Sequence, residues 1–357
     1  GETSDGWKYR FDVNVRKPLY TWGAAEADHQ YGLLHVKRVK QDRQLAFLSI
    51  YRELVNRFID YQIYQQRTVV SGLKEEISRD NVELRRAEVE RGEYPATQFA
   101  TIELAYKKEA LRHEVNLNTL AKNRDIIREV VGIEEDDPLL MGQGLPAVSS
   151  DLEILEARIA NYLSSLDEGS LKVLATQYRI DQEKERLKIH EVAQRPKLNG
   201  LLRLRRDSEN IITGDRQNLE FTEGFAGFEL NWNIYDGKNT RGNVMETLES
   251  LRQLDREIEI LKDNIEDDLE FFLVDLKIQR EQSLLNAQSF SLQEGSYRQM
   301  AEDVAAGRSP EKDLKVVKRD LENARSYMYD SRGYFYKTLT TLYVMLEYSS
   351  ILAYLEE

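Results

Sequence analysis

Residues 225–237 read Phe-Ala-Gly-Phe-Glu-Leu-Asn-Trp-Asn-Ile-Tyr-Asp-Gly, and they decide the fold. From Phe228 on, Phe228, Leu230, Trp232 and Ile234 share one face, and Glu229, Asn231 and Asn233 the other. This period of two predicts a strand with one apolar side, ended by Asp236-Gly237. The segment 238–307 then contains no proline, and its apolar residues recur every three or four positions, the signature of one very long helix. A single strand feeding such a helix is an unusual unit.

The unit occurs twice. A shift of 215 positions places Tyr235 on Tyr20, Leu230 on Val15 and Phe228 on Val13, and it carries Gly307 and Pro310 onto Gly92 and Pro95. Apolar residues also fall on apolar ones along the helices, as Ile265 on Ile50, Leu269 on Leu54, Leu321 on Tyr106 and Leu342 on Ile127. So long a match with no net insertion reads as an internal duplication of a strand, helix, turn and helix.

A chain of 357 residues ordinarily suggests two domains, but the repeat argues for one pseudo-symmetric body. Charged residues make up 32%, hydrophobic residues 41%, and mean hydropathy is -0.59, the profile of long solvated helices. A net charge of -13 argues against nucleic-acid binding, which needs a basic surface. Without cysteine there are no disulfides, thiolate metal sites or thiol nucleophiles. No apolar run of about 18 residues exists to make a transmembrane helix, which leaves transmembrane strands open. The polar opening at 1–6 reads as mid-loop, as though the N-terminus were missing or processed.

At the N-terminal end Trp7, Tyr9, Phe11, Val13 and Val15 alternate with Lys8, Arg10, Asp12, Asn14 and Arg16. A sandwich strand fits this pattern, and so does a tilted membrane strand of about 11 residues with aromatics at its end. All six prolines sit at junctions: Pro18, Pro95, Pro138, Pro146, Pro196 and Pro310. Arg91-Gly92-Glu93-Tyr94-Pro95 and Ala306-Gly307-Arg308-Ser309-Pro310 read as tight hairpin tips, glycine ending one helix and proline starting the next. A second strand runs over 198–205, and the polar 207–223 reads as an external loop. The chain thus divides into a first strand (1–23), a helical hairpin (24–133), a connector (134–149), a returning helix (150–195), a β-hairpin (196–237) and a second helical hairpin (238–357). Glu134-Glu135-Asp136-Asp137-Pro138 suits a solvated connector or, without the spacing of a metal loop, a set of calcium ligands.

Arg195-Pro-Lys-Leu198, Phe228-Glu-Leu-Asn-Trp-Asn-Ile-Tyr-Asp-Gly237 and Ala305-Ala-Gly-Arg-Ser-Pro-Glu-Lys-Asp-Leu314, in that order, resemble the TolC-like outer membrane efflux protein family. The likeness covers essentially the whole chain and is strongest from Pro196 onward. It implies a mainly α fold: long antiparallel coiled-coil hairpins forming a periplasmic α-barrel, with strands closing a 12-stranded membrane barrel in a homotrimer. It also implies a passive exit duct of a tripartite efflux or type I secretion system, with a periplasmic adaptor and an inner-membrane transporter as partners, no enzymatic activity and no cofactor. Three of the family's four strands are readable, and by the 215 shift the counterpart of 150–205 would precede Gly1. In such a barrel Tyr9, Phe11, Val13, Leu202, Leu204, Phe228, Leu230 and Trp232 face lipid, and Lys8, Arg10, Asp12, Arg16, Arg203, Arg205, Glu229 and Asn231 face a wet lumen. A soluble sandwich reverses that placement.

The resemblance further implies that the tips, Gly92, Glu93, Tyr94 and Pro95 with Gly307, Arg308, Ser309 and Pro310, meet the adaptor. An acidic residue six positions after the tip glycine contributes to a constriction ring, and Asp313 holds that place; three copies would attract cations. Asp313 equally suits the first turn of a helix, where a negative charge complements the dipole. Val316 stands where the family carries a second acidic residue, and Gln98 is the counterpart of Asp313 in the first repeat. His29, His35, His113 and His190 lack metal-ligand spacing. The competing reading is a soluble periplasmic scaffold of antiparallel coiled coils, which accounts for the helices and the duplication but not for the amphipathic strands.

Overall fold

The computed structural model describes residues 5–132, 144–148, 152–213, 215–348 and 351. The acidic run 134–138, with its calcium alternative, and the expected helix start at 149–151 lie outside them. In chain order the elements are β1 (Asp5–Tyr20), α1 (Ala24–Glu90), α2 (Ala96–Val131), α3 (Leu152–Ser164), α4 (Leu166–Gly169), α5 (Leu171–Glu191), β2 (Lys197–Thr213), β3 (Asp215–Asn231), α6 (Asn239–Ala305) and α7 (Glu311–Met345). The fold is mostly helical with one small antiparallel sheet. Among the described residues no helix is long and apolar enough to cross a membrane. Two compact units divide the chain, Gly1–Arg43 with Leu171–Lys262, and Gln44–Ser170 with Asp263–Glu357.

In the first unit the sheet has the order β1-β2-β3. Its register sets Val13 opposite Leu204 and Val15 opposite Leu202, with Leu202 in turn opposite Ala226 and Leu198 opposite Leu230. Directly opposed residues share a face in an antiparallel pair, so these side chains form one apolar face. Two strand expectations are corrected. The segment 207–223 is not an external loop: β2 continues to Thr213 and β3 starts at Asp215. Charged side chains stitch it across the strands, Arg10 to Asp207 at 2.8 Å, Lys8 to Glu209 at 2.8 Å and Arg206 to Glu220 at 3.2 Å. At the other end β3 stops at Asn231, so Trp232 and Ile234 lie beyond the strand. The last ladder pair is Lys197 with Asn231, because Pro196 has no N–H to extend it.

Strand passes to helix in the same way in both halves. Trp22 and Gly23 take left-handed φ of 57° and 86°, and 215 positions later Gly237 and Lys238 take 67° and 72°. The Thr21 hydroxyl accepts the Ala25 N–H at 3.2 Å, and the Asp236 carboxylate accepts the Thr240 N–H at 2.8 Å. Each satisfies a backbone donor that the first helical turn leaves free. Helices α1 and α6, each of 67 residues, follow. Within this unit α5 lies beside both, with Arg38 donating to Gln182 at 3.2 Å and Arg179 paired with Glu257 at 2.7 Å.

In the second unit α1 packs between α2 and α7. Ile59 and Ile63 are buried, with the half-buried Val55, Tyr329 and Tyr336 packed against them, while Tyr61 and Phe58 meet Leu120 and Ile127. A methyl at Gly333 would collide with the side chains of Ile59 and Ile63, so the absent Cβ is what lets α7 approach α1. Helix α6 flanks α7 on the far side, where the Thr338 hydroxyl donates to Asp275 at 3.0 Å and the Asn286 amide to the Tyr327 carbonyl at 3.2 Å. The neighbour order is therefore α2, α1, α7, α6. The single returning helix expected over 150–194 is corrected to three, α3, α4 and α5. The Ser164 and Ser165 hydroxyls bond back to the Asn161 carbonyl at 2.8 and 3.0 Å, and Ser170 is extended at φ -77° and ψ 122°. Such back-bonding competes with the helical ladder and ends it.

Candidate functional site

Each helical hairpin tip is closed by the same backbone motif. At the first, the Gly92 N–H donates to the Val89 carbonyl at 2.9 Å and the Glu93 N–H to the Glu88 carbonyl at 2.9 Å; at the second, Gly307 donates to Val304 at 3.0 Å and Arg308 to Asp303 at 2.8 Å. This pairing satisfies the last carbonyls of α1 and α6 and needs a left-handed residue, which glycine supplies at φ 75° and 70°. Pro95 and Pro310 then stand at the N-cap, one residue earlier than a proline inside the first turn, with ψ of 131° and 149°. The side chains differ. Arg85 lies over the Tyr94 ring at 4.9 Å and Arg91 pairs with Glu93 at 2.8 Å, whereas Arg308 pairs with Asp303 at 2.6 Å.

Asp313 sits in the first turn of α7, half-buried, and lines a cleft of about 420 Å³ with Ile77, Asn81 and Leu84 of α1 and with Lys312 and Val316. Next to it Lys315 reaches back to Asp80 at 2.7 Å and Glu76 at 3.2 Å, and their carboxylates raise the pKa of its ammonium. The structure thus brings Asp313 and Val316 into one groove with α1.

In the sheet, Lys8, Arg10, Asp12, Arg16, Arg203, Arg205, Glu229 and Asn231 occupy one face. Arg203 pairs with Asp12 at 2.8 Å, Arg205 with Asp207 at 2.5 Å and Arg16 with Glu229 at 2.9 Å, which with Lys8 and Arg10 makes a continuous ion ladder. The opposite face carries Tyr9, Phe11, Val13, Leu202, Leu204, Phe228 and Leu230, with Phe228 77% exposed. At and just beyond the strand ends Tyr20, Trp22, Trp232 and Tyr235 are all exposed; Tyr20 meets Trp22 edge-on at 4.9 Å, and the Trp22 indole N–H donates to the Pro196 carbonyl at 2.8 Å. Sequence reading missed Phe221 and Phe225, which are exposed on the ladder face opposite Asp207 and Arg203. The Phe225 ring lies over Gly227, where a methyl would come within 2.7 Å of it.

The outer helices carry apolar stripes with no cover. On α6, Phe271, Ile278, Leu285 and Leu292 are exposed at steps of seven, and on α2 Leu104 and Leu111 are exposed seven apart, with Val115 four further on. Steps of seven are the spacing of a coiled-coil seam. The 215-position repeat had drawn attention to the buried positions of these helices instead.

No protein-family model matches the sequence, and no curated protein matches it. Solved structures match its fold. The Campylobacter jejuni CmeC outer membrane channel superposes with a TM-score of 0.67 at 11% identity, over 97% of this chain and 77% of that one. The outer membrane protein VceC of Vibrio cholerae gives 0.62 at 10% identity, over 97% and 87%. The open state of the Neisseria gonorrhoeae MtrE outer membrane channel gives 0.60 at 12% identity, over 97% and 80%. The chain has the fold of these TolC-like outer membrane channels.

Proposed function

We propose that the chain is one subunit of a homotrimeric outer-membrane channel, a passive exit duct whose helical part lies in the periplasm and docks at its tips to an adaptor and an inner-membrane transporter. The sheet carries this reading. Three strands of 16 and 17 residues exceed the roughly 9–11 a tilted strand needs to span a bilayer, and they alternate between an exposed apolar face and an ion ladder. Among the described residues β1 and β3 each have a free edge, which in lipid has to be satisfied by closure with other chains. The exposed aromatics Tyr20, Trp22, Trp232 and Tyr235, all at or just past the strand ends, fit the girdle of a membrane interface. The uncovered stripes of α6 and α2 would meet between adjacent copies, closing the helices into a ring. The 215-position recurrence of tips and helix caps supports a duplicated origin for the two hairpins.

Electron-microscope images of the detergent-extracted protein test the proposal: a threefold particle with a central bore is expected. A monodisperse monomer recovered from the soluble fraction without detergent would replace the duct by the periplasmic scaffold.

A further inference from the structure

Beyond Asp313 the groove between α1 and α7 continues. Ile77 and Ser78 line both the Asp313 cleft and the next hollow, and Lys74 and Asn323 line that hollow and a third. The third has a volume of about 280 Å³ and takes its walls from α1, α2 and α7. In and beside it three carboxylates each have an arginine: Asp330 with Arg67 at 3.2 Å, Glu109 with Arg112 at 3.4 Å and Asp320 with Arg319 at 2.7 Å. Burial raises the Asp330 pKa, partly offset by Arg67. That pairing leaves Lys74, half-buried, as a positive charge with no ion pair among the described residues.

Further donors point into the same hollow. Asn116 of α2 and Asn323 and Ser326 of α7 line it, and none of their side chains has a hydrogen-bond partner among the described residues. Ser326 is a buried residue, 7% exposed, that still lines the hollow, so its hydroxyl is held by the packed helices and open to an occupant of that space. We propose that this hollow binds an oxyanion, the carboxylate or phosphate group of a small solute. Lys74 supplies the charge, Ser326 and the two amides supply directed donors, and the loosely held Arg112 can turn inward. Hydrogen bonds to an ionised acceptor are the strong ones, and lysine serves phosphate as a point charge. The volume suits a phosphate with several waters of ~30 Å³ each. The competing occupant of Lys74 is the buried Glu109 Oε2, which has no hydrogen-bond partner, yet no ion pair joins the two. The site stands on three packed helices and does not depend on conduction.

Calorimetric titration of the full chain in detergent with inorganic phosphate, at constant ionic strength, tests it. Saturable binding is expected, weakened about tenfold or more by Lys74→Met and by Asn323→Leu and retained by Lys74→Arg. Sulfate should compete and a neutral sugar should not. Unchanged helical melting in each variant separates lost binding from lost fold. No saturable binding, equal binding by wild type and Lys74→Met, or displacement by the neutral sugar would overturn the site.

Discussion

The two hairpin tips share a backbone and almost nothing else. Gly92 and Gly307 close the same hydrogen-bond pattern at the same φ, and each is followed three residues later by a proline at the next N-cap. Around that frame Tyr94 under Arg85 gives way to Ser309, and Gln98 gives way to Asp313. Geometry is held by one glycine and one proline per tip, which leaves the intervening side chains free to diverge. What the tips do must therefore be sought where they differ.

Breaking the shared part should have the largest effect. Gly92→Glu or Gly307→Glu meets no steric obstacle, since nothing lies within 4 Å of either added Cβ, and is opposed only by the left-handed φ, costing about 1–2 kcal/mol. Each is expected to abolish adaptor-dependent export in a cell-based assay while crosslinked trimers persist. Next, Gly333→Leu overfills the α1–α7 contact and should cost about 1–3 kcal/mol in denaturant unfolding. Asn118, its exposed counterpart 215 positions earlier, should accept leucine within about 0.5 kcal/mol.

The helix caps sharpen the comparison through pH. Thr240, by its hydroxyl and its N–H, holds the Asp236 carboxyl below its ordinary pKa, so the stabilisation is present above the unfolded value and is lost as pH falls through the folded one. The gap between the melting temperatures of wild type and Asp236→Ala should narrow as pH falls below about 4, where an aspartate in the unfolded chain protonates, and close only once the folded carboxyl protonates as well. Thr21→Ala should show no such convergence. The smallest effect is expected at the pore. Asp313→Ala should move the reversal potential in a salt gradient toward zero, and Gln98→Ala should leave it unchanged; the same potential in both would remove Asp313 from the conducting path.

Much of this fold was legible because its signals are long and local. Proline-free stretches ended where the helices end, and alternation at Tyr9, Phe11 and Val13 marked β1. The segment 207–223 was illegible for the opposite reason. Asp207, Glu209 and Glu220 carry no apolar contrast, and what makes them strand is a partner on another strand. The break at Ser165 depends on which carbonyl a hydroxyl selects, which periodicity does not encode. Lys74, Asn116 and Ser326 come together from three helices, so no spacing along the chain announces their hollow. The tip residues were found from sequence, but only geometry places Asp313 and Val316 in one groove with Leu84.

The ion ladder also acts as a proofreader. Sliding β1 by two residues along β2 keeps every greasy side chain on its own face, so the hydrophobic effect cannot reject the error. Charge can: the native register sets Lys8, Arg10 and Asp12 opposite Glu209, Asp207 and Arg205, whereas one slip sets Asp12 against Asp207 and Arg16 against Arg203, and the other, though it keeps two opposite-charge pairs, sets Arg10 against Arg205. The order of plus and minus along these strands thus ranks the native alignment above both slips.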